Sequence, residues 1–138
     1  MSYCTLAELI ETYGETDIRN LSDRANKPAQ AIDEQVVARA IADADAEIDL
    51  HLEARYRLPL ASVPAVLTRI ACQLSYAGLH TRVDEKHPAN LAAERGRKLL
   101  KGIADGKLSL GLDSAGTPAP LADTVQIASG RNDFGGTW

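Results

Sequence analysis

The sequence predicts a mainly α-helical protein: a bundle of three long helices, preceded by short N-terminal helices and followed by an extended C-terminal tail or weak β-hairpin. Three observations lead there. Apolar residues recur at spacings of three and four through three long segments. The chain is Ala-rich and only 4% aromatic, which favours helix packing over a sheet core. Strand-like alternation is confined to the C-terminal part. At 138 residues the chain is long enough for one hydrophobic core.

Thr5-Leu6-Ala7-Glu8 reads as a capping box that opens a short helix. Leu6, Leu9, Ile10 and Tyr13 form its apolar face, and Gly14 ends it. A second helical turn is expected from Thr16 to Leu21. Ser22 to Gln30, with Asp23, Asn26, Lys27 and Pro28, reads as a loop. Asp33 then caps a long helix over 33–56, on which Val37, Ile41, Ala44, Ile48 and Leu52 share one face. The opposite face is read as acidic: Asp43, Asp45, Glu47 and Asp49.

Pro59 and Pro64 punctuate a short link, and Pro64 suits the first position of a helix over 64–83. Val66, Leu67, Ile70, Ala71, Leu74, Ala77 and Gly78 make the broadest apolar stripe in the chain. Small residues at 71, 75, 77 and 78 allow a close helix crossing. Pro88 opens the last long helix, over 88–106, with Gly106 as its terminator. Leu91, Ala92, Leu99, Leu100 and Ile103 are its expected buried residues; Arg95, Arg97, Lys98 and Lys101 are its exposed ones. Beyond it, Leu108, Leu110 and Leu112, then Val125 and Ile127, give two weak strand signals around a turn-rich stretch, residues 113–120. Ser129 to Trp138 is rich in glycine, and such a tail needs a partner to be ordered. The expected division is a helical domain, 1–107, and a partner-contacting arm, 108–138.

The chain contains no run approaching 18 apolar residues, so no membrane span is expected. Met1 to Ile10 lacks the basic start of a signal peptide. Cys4 and Cys72 are distant in sequence and lack metal-ligand spacing. They are expected to be reduced, buried small residues of a protein made in the cytoplasm.

Several site chemistries are tested by spacing and set aside. Asp43-x-Asp45-x-Glu47 has the acidic alternation of a calcium loop, but its sixth position is Ile48, within a periodic helix, where Gly is required. His51, His80 and His87 make no i, i+4 pair for a metal. Gly111 to Gly116 lacks the Lys and following helix of a phosphate loop. No catalytic residue, metal or cofactor is expected.

Charge is polarised. Residues 1–53 hold 12 Asp/Glu and 4 Lys/Arg, whereas residues 54–138 hold 7 and 11. Copies could therefore stack head to tail, acid against base. Arg95, Arg97, Lys98 and Lys101 could alternatively meet phosphates. A pI near 5.3 argues against a dedicated DNA reader.

The order of segments resembles a known family. The residues that carry the resemblance are Ala31-Ile-Asp-Glu34, Ala40-Ile-Ala-Asp-Ala-Asp-Ala-Glu-Ile-Asp49 and Arg55-Tyr-Arg-Leu-Pro-Leu60. Val63-Pro64 through Cys72, Gly106-Lys-Leu-Ser-Leu-Gly-Leu112 and Arg131-x-x-Phe134 complete the pattern. Together they look like the small helical structural protein of Mu-like phages and prophages, and the block from Ala40 to Leu60 is the most specific part. That family is similar in helical layout to the head-tail connector adaptors of long-tailed phages.

The resemblance implies a virion structural protein made in the host cytoplasm and located in the neck. About a dozen copies would form a ring beneath the portal, extending the DNA channel to the tail. Implied partners are the chain itself, the portal protein, a stopper or tail-terminator, and packaged double-stranded DNA. Arg131, Phe134 and Trp138 would grip the portal or an adjacent copy. Asp43, Asp45, Glu47 and Asp49 would face a neighbour. Arg95, Arg97, Lys98 and Lys101 would face that neighbour or the channel. The rival reading is a small phage DNA-binding or packaging accessory protein; a helical enzyme is a third.

Overall fold

A computed structural model of the chain describes residues 2–112. Arg131, Phe134 and Trp138, and the second strand signal at Val125 and Ile127, lie outside the described residues. The described chain is mainly helical, with α1 (Leu6–Tyr13), α2 (Glu15–Ser22), α3 (Glu34–Leu52), α4 (Ala65–Leu79) and α5 (Pro88–Ala104).

Local chemistry sets where each helix starts. Thr5 Oγ1 accepts the Glu8 N–H at 3.2 Å, and the Glu8 carboxylate accepts the Thr5 N–H at 3.1 Å, closing the capping box. Asp33 caps α3 by accepting from the N–H groups of Gln35 and Val36. Pro64 is extended, with ψ 146°, and so stands just before α4 instead of being its first residue. Pro88 is the first residue of α5, and His87 Nδ1 accepts the Ala89 N–H at 3.1 Å.

The long helices end earlier than the apolar pattern predicts. α4 stops at Leu79 because His80 turns extended, and Arg24 Nη2 donates to the freed Leu79 carbonyl at 3.2 Å. α3 ends at Leu52, from where a turn carries Tyr56 into the core. α5 ends at Ala104, with Gly106 at φ +83°. A side chain at 106 would also meet the Arg55 guanidinium at 2.7 Å.

The core lies around α3 and α4. Val37, Ala44, Ile48 and Leu52 of α3 are buried against Leu67, Ile70, Ala71 and Leu74 of α4; Ala93, Leu100 and Ile103 of α5 complete it. Small residues let α3 and α4 approach closely, for a Cβ at Gly78 would stand 3.9 Å from that of Ala40. Leu91, expected in the core, is 43% exposed. The buried stripe of α5 runs through Ala89, Ala93, Gly96, Leu100 and Ile103, and residue 91 lies on the far side.

The strand expected at 108–112 is reduced: residues 108–111 form no strand, and Leu112 makes a single β-bridge. Leu108 folds over Gly102, the Leu110 N–H donates to the Tyr56 hydroxyl at 3.3 Å, and Leu110 and Leu112 pack on the core. Between α2 and α3, one carboxylate organises the loop. Asp23 accepts the backbone N–H groups of Asn26, Gln30 and Ala31, and these bonds lower its pKa to about 2.

Two stability predictions follow from this packing. Gly78→Ala adds ordinary contact and should stabilise by about 0.5 kcal/mol. Gly96→Leu should destabilise by about 1–3 kcal/mol, because its Cβ alone would stand 3.2 Å from Ile70 Cγ2 and 3.3 Å from Gln73 Oε1. Urea unfolding of both variants checks the opposite signs. The Asp23 pKa lies below its ordinary 3.8, so its contribution is complete above that value and lost as pH falls toward 2. Over that window the wild-type urea midpoint should fall more steeply than that of Asp23→Asn.

Candidate functional site

The sequence singles out two charged sets, on α3 and α5, and the structure places each residue of both. A helix turns roughly 100° per residue. The four acidic residues of α3 therefore do not share the face opposite the core; they flank the buried stripe as two rows. Asp45 and Asp49 lie on one side, Asp43 and Glu47 on the other.

The Asp45 and Asp49 row holds the N-terminal segment. Tyr3 donates its N–H to Asp45 Oδ1 at 3.0 Å and its hydroxyl to Asp49 Oδ1. Tyr3 and Cys4 are buried by this clasp. Burial is the main force on both titrating partners: it raises the Asp45 pKa despite the N–H it accepts, and it raises the Tyr3 phenol, helped by Asp49. Cys4, in turn, brings its thiol to 2.8 Å from that of Cys72 on α4. Beside them the Tyr13 and Tyr76 rings stack 3.7 Å apart, tying α1 to α4, and burial pushes the Tyr13 phenol up to about 12.

The Asp43 and Glu47 row faces α5. Arg97 makes a forked contact with Glu47, Nε to Oε2 at 2.6 Å and Nη2 to Oε1 at 3.3 Å, and also reaches Glu94 at 2.8 Å. Asp43 is exposed and lines a cleft of about 190 Å³ with Glu47, Asn90 and Arg97. Lys101 pairs with Asp105 at 3.1 Å. Among the described residues, Arg95 and Lys98 have no ion-pair partner.

Position on the helix makes the last two residues informative. Leu91, Arg95 and Lys98 follow at i, i+4 and i+7, so they form one ridge opposite the buried stripe of α5. All three are exposed. The other flank of the molecule carries α1 and α2. α4 meets the N-terminal segment through Cys72 and α1 through Tyr76, whereas its Ile70 and Gln73 meet α5, so the two flanks are different surfaces of the molecule. On the α1–α2 flank, Glu11, Glu15 and Asp17 are exposed. Of the expected acidic surface on α3, three carboxylates have intramolecular partners and Asp43 is exposed; a further exposed acidic surface lies on α1 and α2, where Glu15 pairs with Arg19 at 3.2 Å and Asp17 accepts the Tyr76 hydroxyl at 3.4 Å. A signal for it was present in Glu8, Glu11, Glu15 and Asp17, with Arg19 as the lone base of those two helices.

Among the described residues no three His, Cys, Asp or Glu side chains gather closely enough for a metal ion. No described helix is long and apolar enough to cross a membrane. The Arg131, Phe134 and Trp138 arm, expected to bind partners, lies outside the described residues.

Comparison with known proteins gives this geometry a context. Residues 3–129 match the family described as Bacteriophage Mu, Gp36. The chain is 32% identical over 133 residues to Gene product J of Escherichia phage Mu, covering 94% of this chain and 91% of that protein. It is 40% identical over 88 residues to the Mu-like prophage FluMu protein gp36 of Haemophilus influenzae, covering 61% of this chain and 59% of that protein.

The Glu47–Arg97 fork makes a quantitative test. Both side chains are partly solvated, at 30% and 41% exposure, so solvent screens the pair. A double-mutant cycle with Glu47→Ala and Arg97→Ala should give a coupling of about 1 kcal/mol that shrinks between low and high salt. A coupling near zero at low salt would show that the fork does not join α3 to α5.

Proposed function

The chain belongs to the Bacteriophage Mu, Gp36 family, and from that premise we propose that it is a head-tail connector subunit, an adaptor that forms a ring beneath the portal and extends the DNA channel toward the tail. The observation that carries this reading is the opposite charge of two different surfaces. One presents the ridge Leu91, Arg95 and Lys98; the other presents Glu11, Glu15 and Asp17. A surface that complements a different surface on the same molecule makes a heterologous contact, and such contacts close into rings when the rotation permits. Exposed charges mainly steer and register the copies, while Leu91 supplies an apolar contact at the N-terminal end of the ridge.

The helical layout supports the same reading, being similar to that of connector adaptors. In this arrangement the chain's C-terminal arm, with Arg131, Phe134 and Trp138, grips the portal or the adjacent copy. The protein acts in the virion neck, with a stopper or tail-terminator below it. The second reading, a DNA-binding or packaging accessory protein, draws on Arg95 and Lys98, whose lack of ion-pair partners among the described residues leaves them available to phosphates.

Genetic complementation separates the two. A phage lacking this gene should yield heads and complete tails that remain apart in electron micrographs of the lysate, and the wild-type chain should restore joined particles. Arg95→Glu/Lys98→Glu should fail to restore them. Adding Glu11→Lys/Glu15→Lys/Asp17→Lys to that variant should recover a substantial fraction, because the charges across the subunit contact are exchanged. Joined, infectious particles without the gene would sink the connector reading. Failure of the exchanged variant, with salt-sensitive DNA binding by the wild type, would favour the DNA-binding reading.

A further inference from the structure

The two cysteines are separated by 68 positions in the chain, yet their sulfurs stand 2.8 Å apart. Both are free thiols and both are buried. A disulfide has an S–S distance of about 2.05 Å, so closure needs a movement of less than about 1 Å. The segment that must move is short: Cys4 precedes α1 in extended chain, whereas Cys72 is fixed in the middle of α4. We propose that Cys4 and Cys72 form an intramolecular disulfide site, which an oxidising disulfide such as oxidised glutathione converts into a covalent bond between the N-terminal segment and α4.

The surroundings assign different roles to the two sulfurs. Hydrogen bonding with Cys4 lowers the pKa of Cys72, and the same contact, with burial, raises that of Cys4. Cys72, fixed in α4, is assigned the attack, and Cys4, on the short extended segment that can move, the resolution; the shared hydrogen bond favours the thiolate on Cys72. Cys72 also lines an open cleft of about 710 Å³, with Glu11, Thr68, Arg69 and Gln73 at its walls. Cys72 is only 4% exposed, so the disulfide approaches from this cleft as its wall opens.

In the first step Cys72 Sγ attacks one sulfur of oxidised glutathione, forming a mixed disulfide and expelling one glutathione thiolate, which takes up the Cys4 proton. Cys4 Sγ then attacks Cys72 Sγ, forming the protein disulfide and expelling the second glutathione. Cys72 has released its proton to water on ionising, and the second glutathione thiolate takes one up from water; in sum the two protein thiols are oxidised by two electrons and one glutathione disulfide is reduced to two thiols. The product closes a long loop that contains α1, α2 and α3, the kind of loop for which the constraint on the unfolded chain is large.

The proposal concerns the chemistry of the isolated folded chain, so it stands or falls separately from the connector reading. The reduced full chain is incubated with oxidised glutathione and followed by intact mass, peptide mapping and thermal unfolding. The expected product has lost two hydrogens, about 2 Da, and carries a Cys4–Cys72 linked peptide. It should melt about 10 °C higher than the reduced chain. Cys4→Ser should instead stop at a stable glutathione adduct on Cys72. Stable glutathione adducts on the folded wild-type chain would overturn the proposal. So would persistence of both thiols under conditions that oxidise the urea-unfolded chain. An adduct forming faster on Cys72→Ser than on Cys4→Ser would overturn the assigned order of attack.

Discussion

Everything else in the described fold depends on how closely α3 and α4 cross. Ala40 and Ala44 on one helix face Ala71, Ser75 and Gly78 on the other, and these small residues replace the bulky side chains that hold most helix pairs apart. Close approach brings the larger residues on either side of the crossing, Ile48 and Leu52 with Leu67 and Ile70, into full burial. It also defines two grooves along the pair. The N-terminal segment and α1 occupy one groove, and α5 occupies the other. The flanks of the molecule, and the surfaces it offers to partners, are set by that division.

Helix positions were legible because they depend on neighbours in sequence. The Thr5–Glu8 box, the Asp33 cap, Pro88 and Gly106 act within a single turn, and each functions as the local pattern indicates. The ends of α3 and α4 were not legible, because tertiary contacts set them. Arg24, 55 residues before Leu79, takes over the terminal carbonyl of α4. Leu91 was misplaced because an apolar residue was assumed to belong to the stripe nearest to it; Gly96, the better indicator of the buried face, has no side chain to count. The alternation of Leu108, Leu110 and Leu112 suggested a strand, yet each of these residues finds a partner on the helices instead.

The candidate surface was legible as composition and illegible as geometry. Charge counts revealed that the first half of the chain is acidic and the second half basic. They could not reveal that Asp45 and Asp49 are spent on Tyr3, or that Glu47 is spent on Arg97, since both contacts join distant parts of the sequence. Counting i, i+4 pairs within α3 would have separated the quartet into its two rows, for helix geometry alone makes 43 and 47, and 45 and 49, the neighbouring pairs. Once Asp45, Asp49 and Glu47 are assigned to intramolecular partners, exposed acids remain at Asp43 and on α1–α2, and exposed bases without an ion-pair partner among the described residues remain on α5. Opposite charge on two different surfaces suits a heterologous contact, whereas a two-fold contact of either surface with itself would set like against like.

The N-terminal clasp shows how the fold tolerates a costly arrangement. Burial raises the pKa of Asp45, so its ionised form opposes folding more as pH rises past the ordinary carboxylate range, the reverse of the behaviour of Asp23. Tyr3 offsets part of that cost by donating to both acids of the row, and its ring is buried in the core. An apolar residue in place of Asp45 would pack there without a charge, but it would give the Tyr3 backbone N–H no acceptor and the segment no fixed register. Register matters at this point because Cys4 follows Tyr3 directly. A slip of one residue in an extended segment turns its side chains to the opposite side, and the sulfur would then point away from Cys72. The acidic row thus aligns the N-terminal segment, and the alignment brings the two thiols together.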